Sequence, residues 1–160
     1  MPEVIYTIGH GNLPFMKFTS LIQANNITHL IDIRSIPYSR KAPWSNKSRL
    51  PQLLRPLGIR YTYLGHKFND ENQNFKHPDQ TIQHDPTASY DEAIITILLA
   101  AAKRQAALLC SESNPANCFR QRVIAQTLLK QNIKVIHILQ NGSLQDAWQE
   151  PSSPKQPELF

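Results

Sequence analysis

The sequence predicts an α/β fold: one three-layer domain with a mostly parallel five-stranded sheet and helices on both faces. Three observations predict it. Short apolar, β-branched runs alternate with stretches of helical period, which is the order of successive βαβ units. The chain of 160 residues fits one domain of ordinary size and is long enough to bury a core. Three of the apolar runs also lead straight into reactive polar clusters, as the carboxyl ends of parallel strands do where they build a site.

Residues 4–10, VIYTIGH, are apolar and β-branched and read as a short buried strand. Asn12 is placed to cap a helix over 13–25, with Phe15, Phe18, Leu21 and Ile22 on one face. Residues 29–35, HLIDIRS, form the second strand. Leu50, Leu53, Leu54 and Leu57 recur at i, i+3, i+4 and i+7 and mark a short helix that stops before Gly58. Pro51 suits its first turn and Pro56 ends it. Residues 59–65, IRYTYLG, alternate and form the third strand. The polar stretch 66–88, which holds His66, His77 and His84, is expected to be a long loop, either a lid or a disordered segment. Ser89 and Glu92 make a capping box that opens the helix YDEAIITILLAAAKR, striped by Ala93, Ile94, Ile97, Leu98 and Ala101. Residues 107–113, ALLCSES, are the fourth strand, and an amphipathic helix follows over 118–131 with Val123, Ile124, Thr127 and Leu128 on one face. Residues 134–140, KVIHILQ, are the fifth strand, closed by an Asn141-Gly142 turn. Periodicity fades beyond it. The domain is expected to span 1–145, and 146–160 to form a flexible tail rich in Pro and Ser.

Composition narrows the function classes. Apolar content of 41% and charged content of 18% are those of a globular protein. No run approaches the ~18 continuous apolar residues of a membrane span. The chain opens directly as a strand, without the basic and apolar regions of a secretory signal, so a cytoplasmic protein is expected. A net charge of +5 and a pI near 9.4 favour anionic partners such as nucleotides, nucleic acids or phosphates. Two cysteines are too few for a structural zinc site, and a reducing compartment argues against a stable disulfide. No G-x-G-x-x-G or Walker sequence occurs, so neither a dinucleotide nor a P-loop cofactor site is expected, and no metal.

Three clusters carry candidate chemistry. His10, at the end of the first strand, titrates near neutral pH and suits acid–base work. In DIRSIPYSR, Asp32 and Arg34 share one strand face, and a carboxylate within an apolar strand needs a partner, which Arg34 or Arg40 supplies. The pair is read either as a general base with its orienting cation or as a structural ion pair. Arg34, Ser39, Arg40 and Lys41, interleaved with Tyr38 and Trp44, also resemble a phosphate-and-base surface. In LLCSESNPANCFR, Cys110 and Glu112 point the same way, and Cys118 falls near a helix N-terminus with Arg120 in the same turn. That setting lowers a thiol pKa and also binds anions; buried structural cysteines are the third reading. His137 lies within the fifth strand and reads as a satisfied core residue. The C-terminal QPELF offers Gln156 as a polar anchor and Leu159 and Phe160 as apolar plugs. It resembles the Q-x-x-L-F peptide by which bacterial replication and repair proteins bind the sliding clamp.

Taken together, TIGHGN, DIRSIPYSR, GIRYTYLG, LLCSESNPANCFRQRVIA and VIHIL resemble, over residues 4–142, the bacterial and archaeal family called domain of unknown function 488. The resemblance implies a compact α/β domain and no particular activity. The matching polar positions are His10, Asp32, Arg34, Ser39, Arg40, Cys110, Glu112, Cys118 and Arg120. Three positions depart from the family pattern. The usual Cys-His-Arg triplet stands as Cys118-Phe119-Arg120, the glycine pair after the third strand as Gly65-His66, and the small hydroxyl residue after the first histidine as Gly11. The leading expectation is an enzyme, of hydrolytic type, acting on a nucleotide or nucleic acid. Arg34, Ser39, Arg40 and Arg120 would bind phosphate, and His10, Asp32 and Glu112 would supply acid–base chemistry. The rivals are a non-catalytic DNA-associated module recruited through Gln156, Leu159 and Phe160, and a thiol enzyme using Cys110 or Cys118.

Overall fold

The alternating apolar runs become strands of one sheet. The computed structural model describes residues 1–68 and 88–151. Its strands are β1 Val4–Gly9, β2 His29–Asp32, β3 Arg60–Tyr63, β4 Ala106–Cys110, β5 Lys134–Ile138 and β6 Leu144–Asp146. They lie in the order β3-β2-β4-β1-β5-β6. All neighbours pair in parallel except β6, which runs antiparallel to β5. The helices are α1 Phe15–Ala24, α2 Leu50–Leu54, α3 Ala88–Lys103 and α4 Ala125–Lys130.

Side chains alternate across a strand, so each apolar strand supplies both faces of the sheet. Ile8, Leu30 and Leu109 meet Phe18, Leu21 and Ile22 of α1 and Leu50 and Leu54 of α2 on one face. Ile5, Ile31, Leu108 and Val135 meet Ala93, Ile94 and Ile97 of α3 and Ala125 and Leu128 of α4 on the other. The three layers are therefore those expected. No helix of the described residues is long and apolar enough to cross a membrane.

Several details differ from the expectation. The sheet has six strands rather than five. All three residues of β6 are exposed, so the strand leaves no apolar pattern to read. It is held as a hairpin, with Leu139 N–H donating to Ser143 O at 2.9 Å and Asn141 Oδ1 accepting from Ser143 N–H at 2.9 Å. Asn12 does not cap α1, whose N-cap is Pro14 without a side-chain hydrogen bond. The capping box also fails, because α3 begins at Ala88 and Ser89 lies inside it. Ser89 Oγ–H donates instead to Lys67 O at 3.0 Å, and Glu92 pairs with Lys67 Nζ at 2.8 Å. The helix expected over 118–131 starts as a π-helical turn, Arg120–Ile124, before α4. The tail expected from 146 remains bound through Glu150. Ala147 N–H donates to Val135 O at 2.8 Å, and Glu150 N–H to Gln126 Oε1 at 2.9 Å. The expected loop from 69 onward, with His77 and His84, lies outside the described residues, as do Gln156, Leu159 and Phe160.

Candidate functional site

Because β1 to β4 are parallel, the segments that follow them gather along one edge of the sheet. Backbone bonds extend the ladder past the strand ends. His10 N–H donates to Cys110 O at 2.9 Å, Gly11 N–H to Ser111 O at 2.9 Å, and Ile33 N–H to Leu109 O at 3.1 Å. Two glycines permit this crowding. A Cβ on Gly9 would lie 1.8 Å from Glu112 O, and one on Gly65 would lie 1.8 Å from Arg34 O. The rim expected from sequence exists. Its groups nevertheless divide by strand alternation into two clusters, one on each face of the sheet.

The first cluster lies on the α1–α2 face. Arg34 grips Asp32 with Nε at 2.8 Å from Oδ1 and Nη2 at 2.7 Å from Oδ2. Arg34 N–H donates to Oδ1 at 3.1 Å, and Tyr61 O–H to Oδ2 at 2.5 Å. The fully buried Asp32 thus accepts four hydrogen bonds, which satisfies both oxygens. Burial disfavours charge on Arg34, but the Asp32 carboxylate more than offsets it and raises the guanidinium pKa. Burial and the adjacent Asp32 charge raise the Tyr61 phenol as well. Arg34 also donates through Nη2 to Ser45 O at 2.7 Å and through Nη1 to Ser45 Oγ at 3.0 Å and His10 Nε2 at 3.2 Å. A nitrogen that accepts from arginine carries no proton, so His10 is assigned the tautomer whose Nδ1–H donates to Gly11 O at 2.7 Å. Burial holds the His10 pKa below the usual value; the Gly11 carbonyl opposes this and the Arg34 charge reinforces it. Trp44 stands edge-on to the ring at 6.0 Å between centroids and packs on Phe18.

The second cluster lies on the α3–α4 face. Cys110 and Cys118 are both buried and unbridged, and each thiol perturbs the ionisation of the other. Arg120 N–H donates to Cys118 Sγ at 3.4 Å. Burial opposes ionisation of Cys118, but the Cys110 thiol and the charge and N–H groups of Arg120 win and lower it to about 7. Burial, together with the neighbouring Cys118, pushes Cys110 the other way. The buried Arg120 side chain donates to Thr7 Oγ1 at 2.9 Å, Glu112 O at 2.5 Å and Ser113 O at 3.3 Å. Thr7 Oγ1 lies 2.6 Å from His137 Nδ1, and His137 Nε2 lies 2.9 Å from Gln121 Oε1. Gln121 Nε2 donates to Glu150 Oε2 at 2.7 Å. Burial, with Arg120 nearby, lowers the His137 pKa to about 3, so this histidine is a neutral link in the core. Phe119 packs edge-to-face on Phe68 at 5.6 Å in the apolar layer.

The remaining predicted residues sit on the exposed rim. Ser39 Oγ accepts from Ala42 N–H at 3.1 Å and Ser39 N–H donates to Asn46 Oδ1 at 2.9 Å, which folds the segment after β2 on itself. Arg40 is exposed, and so is Glu112, whose Oε2 accepts from Asn114 N–H at 3.0 Å. Arg34 and Arg120 differ from the expectation of phosphate-binding forks, since protein acceptors already occupy their donors. Asp32 is likewise engaged on both oxygens and acts here as the clamp on Arg34. Sequence reasoning missed Ser45, Tyr61, Thr7 and Gln121 as partners. The one signal was in β3, where alternation puts Tyr61 on the Asp32 face. Among the described residues no three His, Cys, Asp or Glu side chains are grouped to hold a metal ion.

The rim also has a charge pattern that composition alone concealed. Between Asp32 and Asp70 the chain carries eight Lys or Arg residues and no Asp or Glu. Arg40, Lys41, Lys47 and Arg49 are exposed, beside Ile36 and Tyr38, which are 70% and 59% exposed. Lys47 Nζ stands 4.5 Å over the Tyr63 ring, and Tyr63 O–H donates to Arg34 O at 2.9 Å. The basic segment is thereby tied to the first cluster.

Neither a curated protein nor a solved structure matches the chain. The family model described as domain of unknown function DUF488 matches residues 15–128, from α1 into α4, which takes in Asp32, Arg34, Cys110, Cys118 and Arg120 but not His10, Thr7 or His137, and the chain belongs to that family.

Proposed function

We propose that this protein binds a phosphate-bearing substrate, a nucleotide or a nucleic acid, on residues 35–49 and acts on it hydrolytically at the adjoining rim. The observation that carries the reading is the carboxylate-free basic segment, with Arg40, Lys41, Lys47 and Arg49 exposed around Tyr38. Exposed cations neutralise phosphates, and an exposed aromatic face stacks on bases. Arg34 and Arg120 shape the rim from below rather than touching phosphate. Glu112 is an exposed carboxylate of the rim and serves as the general base, and the buried His10 at the end of β1 is the second acid–base group. The substrate class suits a cytoplasmic protein.

A second reading, a non-catalytic module, is favoured by the saturation of Asp32 and His10 by protein partners. In that reading Gln156, Leu159 and Phe160 recruit the protein to the sliding clamp, and deleting 156–160 abolishes binding to purified clamp while leaving oligonucleotide binding intact. One panel of labelled nucleotides and single-stranded and duplex oligonucleotides separates the readings. Arg40→Ala, Lys41→Ala and Lys47→Ala combined weaken binding about tenfold or more. Glu112→Gln leaves binding unchanged and lowers turnover by about 10²–10⁴, the usual contribution of a general base. Binding without turnover of any panel member selects the module. Wild-type affinity in the triple variant contradicts both.

A further inference from the structure

Arg120 raises a problem of charge balance. Its side chain is fully buried, and a guanidinium is permanently charged. Its acceptors, Thr7 Oγ1, Glu112 O and Ser113 O, are all neutral. The ion pairs among the described residues are Arg34–Asp32 and Lys67–Glu92, so no carboxylate there balances Arg120. A buried charge without a counter-charge is strongly unfavourable. Cys118 is the group placed to supply one. Its sulfur accepts the Arg120 backbone N–H at 3.4 Å, and the Arg120 charge and the Cys110 thiol both act on it. All these groups present hydrogens or positive charge to the same sulfur.

We propose that Cys118 is a thiolate paired with Arg120, and that Cys118 and Cys110 together form a peroxide-reactive dithiol that cycles through a disulfide. The lowered Cys118 and raised Cys110 agree with this division into attacking and resolving thiols. With hydrogen peroxide as oxidant the chemistry balances. The Cys118 thiolate attacks one peroxide oxygen, the O–O bond breaks, and the departing hydroxide takes a proton to become water. Cys118 is then a sulfenic acid. The Cys110 sulfur attacks the Cys118 sulfur, an S–S bond forms, and the expelled hydroxide leaves with the Cys110 proton as a second water. A dithiol reductant restores both thiols. Both sulfurs are buried, which shields them from bulky disulfides. Oxidation removes the anion that balances Arg120, which holds the Glu112 and Ser113 carbonyls, so the redox state is felt at the rim independently of what binds there.

The test uses the full-length protein, hydrogen peroxide and intact-mass measurement. Wild type loses two hydrogens and both free thiols, about tenfold or more faster than free cysteine at neutral pH, and dithiothreitol reverses it. Cys110→Ser stops at a gain of one oxygen that a sulfenic-acid trap captures, and Cys118→Ser forms neither product. The wild-type rate has its midpoint near pH 7, which keeps the test valid should a variant fail to fold. Retention of both thiols, equal reactivity of Cys118→Ser, or a rate rising only through the ordinary thiol range near ~8.5 overturns the proposal.

Discussion

Asp32 accepts four hydrogen bonds, and its value to the protein lies in what it holds. A carboxylate at the end of an apolar strand is tolerable only with full hydrogen bonding. Arg34, fixed two residues on along the same strand face, and Tyr61, fixed by the neighbouring strand, provide it. The need for a partner was legible in the sequence, and the i, i+2 spacing made Arg34 a candidate for it alongside Arg40. Ser45 and His10 as further acceptors for Arg34 were not, because they arrive from segments whose placement depends on tertiary packing. Removing one partner of a buried pair leaves the other charge unpaired. Asp32→Ala therefore destabilises the fold by about 3–5 kcal/mol. Tyr61→Phe, which deletes one hydrogen bond to the carboxylate, costs about 1.5–3 kcal/mol. Urea denaturation measures both, and a loss under about 1 kcal/mol for Asp32→Ala means that the pair does not bear on stability.

Elements matter here through their ends. β1 and β4 lie so close at the rim that only a residue without Cβ passes between Gly9 and Glu112. Gly9→Ala must push the Glu112 carbonyl aside and with it the Arg120 bond. The expected cost is about 1–3 kcal/mol, the usual range for overpacking, with a larger loss of rim function than of stability. Urea midpoints and substrate affinity of the variant check this, and wild-type values in both refute the close approach. The strands and the apolar helix faces were legible because burial imposes periods of 2 and 3.6 on the sequence. β6 was not, since it buries nothing. The capping box misled because Ser89 and Glu92 find tertiary partners on Lys67. The π-helical turn before α4 has no sequence period of its own and is indistinguishable from ordinary helix in the sequence.

For the whole molecule, the buried histidines set the response to acid. Burial, with nearby Arg60 and Arg104, lowers His29 to about 4; burial lowers His137 to about 3, and lowers His10 as well. Each is depressed below its unfolded value of about 6.5. The unfolded chain therefore takes up protons that the folded one refuses as pH falls below that value. Stability is complete above about pH 6.5 and declines toward pH 4, and His137→Gln flattens the decline. Urea midpoints from about pH 7.5 to 4.5 show it, and a midpoint independent of pH across that window contradicts it. The proposed function belongs to this scale too, because it draws on the basic segment and the rim together. The single figure of +5 hid the polarity that residues 33–68 create, with their cations and no carboxylates. The most direct test of that polarity is the salt dependence of single-stranded DNA binding. Four exposed cations, Arg40, Lys41, Lys47 and Arg49, predict that log K falls against log salt with a slope of about −3. Neutralising all four should bring the slope close to zero. A wild-type slope near zero, or one that survives loss of the four charges, contradicts a phosphate-binding rim.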